Sequence, residues 1–165
     1  MRVESVMTRN VIRCSPETTL EAAGLKMREI DSGILPVVRN EKPVGVITDR
    51  DICLALTERN RRPSDVTVGE VMSRSLWTAY EDDDTSKALA LMQARHVRRL
   101  PVLNSEEMLA GILSMNDIVL HAEKTGNGQA VSYKDALETL KAICAHRYPV
   151  KPVEPVDVTE LARSL

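Results

Sequence analysis

The apolar and polar positions of this chain describe one unit twice. A short apolar stretch, Val11-Ile12, opens the first unit. After an acidic and hydroxyl-bearing start, Leu20, Ala23, Gly24, Met27 and Ile30 fall at helical spacing. Two apolar runs follow, over 34–38 and 44–48, with Asn40-Glu41-Lys42-Pro43 between them as turn chemistry. A second helix closes the unit. The second unit opens on Leu76-Trp77. It carries Ala88, Leu91, Met92 and Arg95 on one helical face, strands over 99–103 and 110–114, and the turn Asn104-Ser105-Glu106-Glu107. Each unit therefore reads strand–helix–strand–strand–helix. About 60 residues bury too little surface to be comfortable alone, and two units packing their sheets together solve this.

The repetition extends to residue identity. A shift of 65 lays Val6-Met7-Thr8-Arg9 on Val71-Met72-Ser73-Arg74, Ala23 on Ala88, Met27 on Met92 and Leu35-Pro36-Val37 on Leu100-Pro101-Val102. One extra residue enters the loop at 104–110. Thereafter a shift of 66 lays Gly45-Val46-Ile47-Thr48 on Gly111-Ile112-Leu113-Ser114 and Asp51-Ile52 on Asp117-Ile118. The organisation expected is a first repeat over 1–62, a second over 63–123 and an extension over 124–165. The methionines at 7, 27, 72 and 92 sit on equivalent apolar positions and read as core.

Composition narrows the function. The 22 Lys and Arg against 24 Asp and Glu leave a net charge of −2, with none of the basic field of a nucleic-acid binder. One Trp, three Tyr and no Phe remove the stacking platform of single-strand binders, so a bound flat ring would have to be gripped by aliphatic side chains. Cys14, Cys53 and Cys144 are scattered and odd in number, and with His96, His121 and His146 they give no disulfide or metal spacing. No stretch approaches the roughly 20 apolar residues of a membrane span, and the expected location is the cytoplasm. No nucleophile–base set, acid–base pair or phosphate-cradling Gly-rich loop marks an enzyme.

The segments VMT…PETTLEAAGLKMREIDSGILPVV…PVGVITDRDI and VMS…DTSKALALMQARHVRRLPVL…LAGILSMNDI resemble the cystathionine-β-synthase (CBS) domain, in tandem over about residues 1–123. The resemblance implies an α/β (α+β) fold in which two CBS repeats pack with pseudo-two-fold symmetry, followed here by a C-terminal helix. It also implies dimerisation into a flat disc and an adenosine-containing ligand between repeats. AMP, ADP and ATP lead the candidates, with S-adenosylmethionine and NAD(H) sharing the same ribose grip. No cofactor is required. The regulated protein would be separate from this chain, and a ligand-free interaction scaffold is the alternative.

The candidate site residues each have two readings. Thr48-x-x-Asp51 and Ser114-x-x-Asp117 match a helix capping box. They also match the hydroxyl and carboxylate that the family uses toward ribose, whose paired hydroxyls suit one carboxylate. Arg50, in the first turn of a helix, opposes the macrodipole unless an anion lies near. Arg98 and Arg99, where the first repeat has Gly33 and Ile34, are either solvated or phosphate-gripping, and the asymmetry implies unequal sites. Pro36 and Pro101, with Cys14 and Ala79, resemble adenine-lining elements, or are simply core. Glu81-Asp82-Asp83-Asp84 reads as the acidic first turn of a helix rather than a metal site.

In the extension, a polar loop over 121–130 leads to a helix over 132–146. Ser132 caps it, Val131 and Ala136 form a staple, and Ala136, Leu137, Leu140, Ile143 and Cys144 form one apolar stripe. A Pro-Val repeat over 147–165 would suit a polyproline strap across a partner subunit, or a frayed tail.

Overall fold

The computed structural model describes residues 1–124 and 130–145. The first repeat contains α1 (Leu20–Glu29), β2 (Ile34–Arg39), β3 (Lys42–Thr48) and α2 (Asp49–Arg59), preceded by the short β1 (Thr8–Arg9). The second contains β4 (Ala79–Tyr80), α3 (Thr85–Arg95), β5 (Arg99–Leu103), β6 (Leu109–Ser114) and α4 (Met115–Leu120). The extension adds α5 (Tyr133–Cys144). The expected repeat architecture is present; β5 has the expected bounds, and β2, β3 and β6 run one or two residues longer than the pattern implied.

The opening strands are corrected. Val11-Ile12 and Leu76-Trp77 form no strand; the strand partners lie three residues further on. Ala79 and Tyr80 pair parallel to Val102 and Leu103, and Cys14 makes the equivalent parallel bridge to Val37. Short apolar pairs bracketed by polar residues gave no periodicity to separate these frames.

Each repeat is completed by the other. β1 pairs with β6 through Thr8 and Ile112, giving the sheet order β1-β6-β5-β4. In mirror fashion Ser73 bridges Val46 of β3, with backbone bonds of 3.0 and 2.9 Å in the two directions. The cores follow the same exchange. Val3, Val6 and Met7 are buried with Met92, Leu100, Val102, Leu113 and Ile118 of the second repeat. Val66, Val68 and Met72 are buried with Leu20, Leu35, Val37 and Ile47 of the first. This explains why Val-Met-Thr/Ser and Gly-apolar-apolar recur together: the methionine fills the other repeat's core, and the glycine lets the following backbone come close. A Cβ on Gly45 would stand 2.5 Å from the Ser73 carbonyl oxygen, and one on Gly111 would stand 2.6 Å from that of Thr8.

The helices hold where caps and apolar faces agree. Thr19 caps α1 by accepting from the Ala22 amide, and Leu20, Ala23 and Met27 are buried beneath it. Ile30 departs from that face: it is the C-cap and is partly exposed. On α3 the buried set is Thr85, Ala88, Leu89 and Met92, while Arg95 lies outside the core, over a tryptophan ring. The acidic run precedes α3 instead of forming its first turn. Asp83 accepts from the Tyr80 amide and from Lys87, and Asp84 is the N-cap, bonded to the Ser86 amide. Those bonds from Ser86 are the main reason the Asp84 carboxyl is pulled down to about 2.

Ser132 caps α5, and Val131 and Ala136 are both buried, as a staple requires. The stripe is different from the expected one. Ala136 and Thr139 face inward, with Ile143 partly buried, and Thr139 accepts a 2.7 Å bond from Gln93 of α3. Leu137, Leu140 and Cys144 face outward. A small residue and a hydroxyl allow close approach to α3, and hydrophobicity alone could not reveal that. The Pro-Val repeat and residues 125–129 of the loop lie outside the described residues.

Candidate functional site

Two clefts flank the seam between the repeats. The first has a volume of about 310 Å³, near the lower end of small-molecule sites, roughly 300–1,000 Å³. Its apolar walls are Ile34, Val46, Leu76, Trp77, Val97 and Pro101, and its polar lining is Thr48, Asp49, Arg50, Ser75, Arg98 and Arg99, with Gly33 at the edge. The second, of about 230 Å³, is lined by Thr8, Asn10, Val11, Ile12, Ile30, Ser32, Ile34, Arg99, Ile112, Ser114 and Asp117. Most of these linings are related by the internal repeat: Thr48 matches Ser114, Val46 matches Ile112, and Ser75-Leu76-Trp77 matches Asn10-Val11-Ile12.

The polar ends of both clefts are strand-to-helix junctions. Thr48 ends β3 and caps α2: its Oγ1 accepts from the Asp51 amide at 3.1 Å, while Asp51 Oδ2 accepts from the Thr48 amide at 2.9 Å. Ser114 and Asp117 do the same for α4, at 3.2 and 2.7 Å. Both hydroxyls also donate to their aspartate, at 2.7 and 2.6 Å. The capping reading of these motifs is therefore realised in each repeat. The aspartates then diverge. Asp117 lines the second cleft and its Oδ1 accepts from Thr8 at 3.2 Å. Asp51 lines a separate depression with Leu54, Ala55, Glu58, Arg59, Glu70 and Val71. The carboxylate lining the first cleft is that of Asp49, which sequence reasoning missed.

The three singled-out arginines all line the first cleft. Arg50 and Arg98 are exposed and Arg99 is half-buried. Among the described residues, none of the three makes an ion pair or a side-chain hydrogen bond. Burial pulls the Arg99 pKa down, the neighbouring Arg98 adds to this, and Asp49 and Asp117 oppose it. Burial and a like-charged neighbour thus disfavour the charged form here more than the two carboxylates favour it, a setting that a bound anion relieves. The second cleft is poorer in cations: by the internal repeat Asn116 stands for Arg50, and Gly33 and Ile34 stand for Arg98 and Arg99.

Pro101 lines the first cleft. Pro36, Cys14 and Ala79 are buried in the cores. The Pro36 carbonyl accepts from the Cys14 amide at 3.1 Å. Burial raises the Cys14 thiol to about 11, against a smaller opposing effect of Lys26. Trp77 overturns the expectation of purely aliphatic walls. The chain's single tryptophan lines the first cleft, with the Arg95 guanidinium 3.7 Å from its ring centroid. Composition counted the aromatic as scarce, and only the fold could place it.

No helix among the described residues is long and apolar enough to cross a membrane. No group of three or more His, Cys, Asp or Glu among them is placed to hold a metal ion.

Comparison with known proteins fits this architecture. The CBS domain family model matches residues 3–58 and 68–124. The chain is 36% identical over 119 residues to Methanopyrus kandleri protein MK0525, spanning 71% of this chain and 60% of that one. It is 36% identical over 119 residues to inosine-5'-monophosphate dehydrogenase of Methanocaldococcus jannaschii, covering 72% of this chain but 23% of the enzyme. It is 32% identical over 141 residues to hypoxic response protein 1 of Mycobacterium tuberculosis, covering 85% and 92%. Among solved structures, the CBS domain pair of MJ0100 in complex with 5'-methylthioadenosine and S-adenosyl-L-methionine superposes with TM-score 0.65 at 26% identity, covering 73% and 94%. CBSX2 of Arabidopsis thaliana in complex with AMP superposes with TM-score 0.62 at 26% identity, covering 72% and 93%. With two matched domains, sheets completed by exchange and a cleft on each side of the seam, this chain belongs to the CBS domain family.

Proposed function

We propose that this chain is a regulatory sensor whose first cleft binds an adenosine ligand with an anionic phosphate tail, AMP, ADP or ATP. The observation that carries the reading is the convergence of Arg50, Arg98 and Arg99, without ion-pair partners among the described residues, on a cleft with apolar walls. Forked guanidinium donors match phosphate oxygens, and the apolar walls and the Trp77 ring suit a flat base. Asp49 and Thr48 stand where ribose hydroxyls could be met. In the second cleft, Ser114 and Asp117 can serve a ribose, with one arginine in reach. That cleft suits an adenosine derivative with less negative charge, in the class of 5'-methylthioadenosine and S-adenosylmethionine. Signalling follows by linkage: a ligand that prefers one arrangement of the repeats, or of a homodimer, shifts that equilibrium and is read by a separate protein.

A second reading, a scaffold without ligand, draws on one observation: the Asp51 carboxylate is engaged in capping and lines no part of the first cleft. Thermal unfolding in the presence of AMP, ADP, ATP, S-adenosylmethionine or NADH separates the two. At 100 times its dissociation constant a ligand stabilises by about 2.7 kcal/mol, or about 5–10 °C in a chain of this size. The sensor reading expects that shift with at least one adenine nucleotide. The scaffold reading expects none with any of the five.

A further inference from the structure

Arg99 is the first residue of β5, in register with Ser114 of β6. It lines both clefts, as does Ile34, its counterpart in the first repeat. The seam between the sites therefore holds a guanidinium on one side and a hydrocarbon on the other. Asp49 lies toward the first cleft and Asp117 toward the second, and both act on the Arg99 charge. Arg99 has no ion-pair partner among the described residues, so its flexible side chain is committed to neither cleft.

We propose that Arg99 is a shared group that couples the two clefts, gripping an anion in the first or balancing the Asp117 carboxylate in the second. This rests on the nucleotide reading of the first cleft. One guanidinium cannot fully serve two places. A phosphate that draws Arg99 into the first cleft leaves Asp117 less compensated, which disfavours an anion there and favours a neutral or cationic adenosine derivative. By reciprocity, whatever neutralises Asp117 strengthens phosphate binding in the first cleft. Two anionic ligands thus oppose each other, and an unlike pair cooperates.

The test uses Trp77, the chain's single tryptophan, whose fluorescence reports on the first cleft. AMP is titrated into four full-length proteins: wild type, Asp117→Asn, Arg99→Gln and the double variant. Asparagine keeps an acceptor for the Ser114 amide, so the α4 cap survives, and an unfolding curve for each variant confirms it. Asp117→Asn is expected to tighten AMP about fivefold when Arg99 is present and to leave it unchanged in the Arg99→Gln background. Equal tightening in both backgrounds would show a direct field effect of Asp117 and overturn the shared role, as would no change in either. A wild type that binds AMP without the expected pattern defeats only the coupling. A wild type that answers to no nucleotide defeats the nucleotide reading and the coupling together.

Discussion

Replacing Arg98 and Arg99 together with alanine weakens AMP binding about 100-fold, because a hydrogen bond to a charged group contributes about 1.5–3 kcal/mol and each 1.4 kcal/mol is tenfold. The unfolding temperature without ligand changes little. Both side chains are free of ion pairs among the described residues, and Arg98 is exposed. Removing both also removes the repulsion between these like charges. At an AMP concentration that stabilises wild type by about 2.7 kcal/mol, the double variant keeps about 0.4 kcal/mol, and the thermal shift all but disappears. Differential scanning fluorimetry of the two proteins side by side checks this. An undiminished shift in the double variant would remove the phosphate role from these residues. A variant destabilised without ligand would mean that the arginines hold the seam together instead.

Gly45→Ala is expected to destabilise the fold by about 2–3 kcal/mol, in the range of overpacked positions and with a sheet bridge at stake. The new methyl group would meet the Ser73 carbonyl oxygen at 2.5 Å and the Met72 sulfur at 3.1 Å. A thioether can swing aside. The backbone oxygen cannot, because it accepts the 3.0 Å bond from the Val46 amide that ties the second repeat's opening segment to β3. Gly111→Ala meets the Thr8 oxygen at 2.6 Å in the mirror position and is expected to behave alike. For a chain of this length the loss lowers the unfolding temperature by about 5–10 °C. Gly24→Ala is the control: nothing lies within 4 Å of its Cβ inside α1, and it should stabilise by about 0.5–1 kcal/mol. Chemical denaturation of the three variants measures this. A neutral Gly45→Ala would mean that the two repeats are not held by the exchanged segments.

The duplication was open to reading from sequence because each marker has a strong local cause. Gly45 and Gly111 permit close backbone approach, Met7 and Met72 fill cores, and Thr48 and Ser114 start helices. What the sequence could not convey was where these markers act. Val-Met-Thr belongs by chain order to the first repeat, yet Val6 and Met7 are buried in the core of the second and Thr8 pairs with its β6. Short strands left the frame of Cys14 and Ala79 open. The outward placement of Leu137 and Leu140 depends on α3 offering Gln93 to Thr139, a long-range polar contact with no periodic signature. At the clefts, Arg50 was recognisable by its poor fit to the helix dipole, and Arg98 and Arg99 by their contrast with Gly33 and Ile34, but their convergence needed the packing of two repeats. Asp49 and Trp77 carried no signal of their own. Asp49 is an unremarked first-turn acid, and a lone tryptophan beside a repeat boundary has many uses.

If the first cleft recognises a phosphate attached to an adenosine, calorimetric titration of wild type with AMP and with adenosine, in the same low-salt buffer, separates the two ligands. AMP is expected to bind at least about 30-fold tighter than adenosine, with the difference shrinking as salt screens the arginines. Equal affinities, or no heat from either, would contradict it.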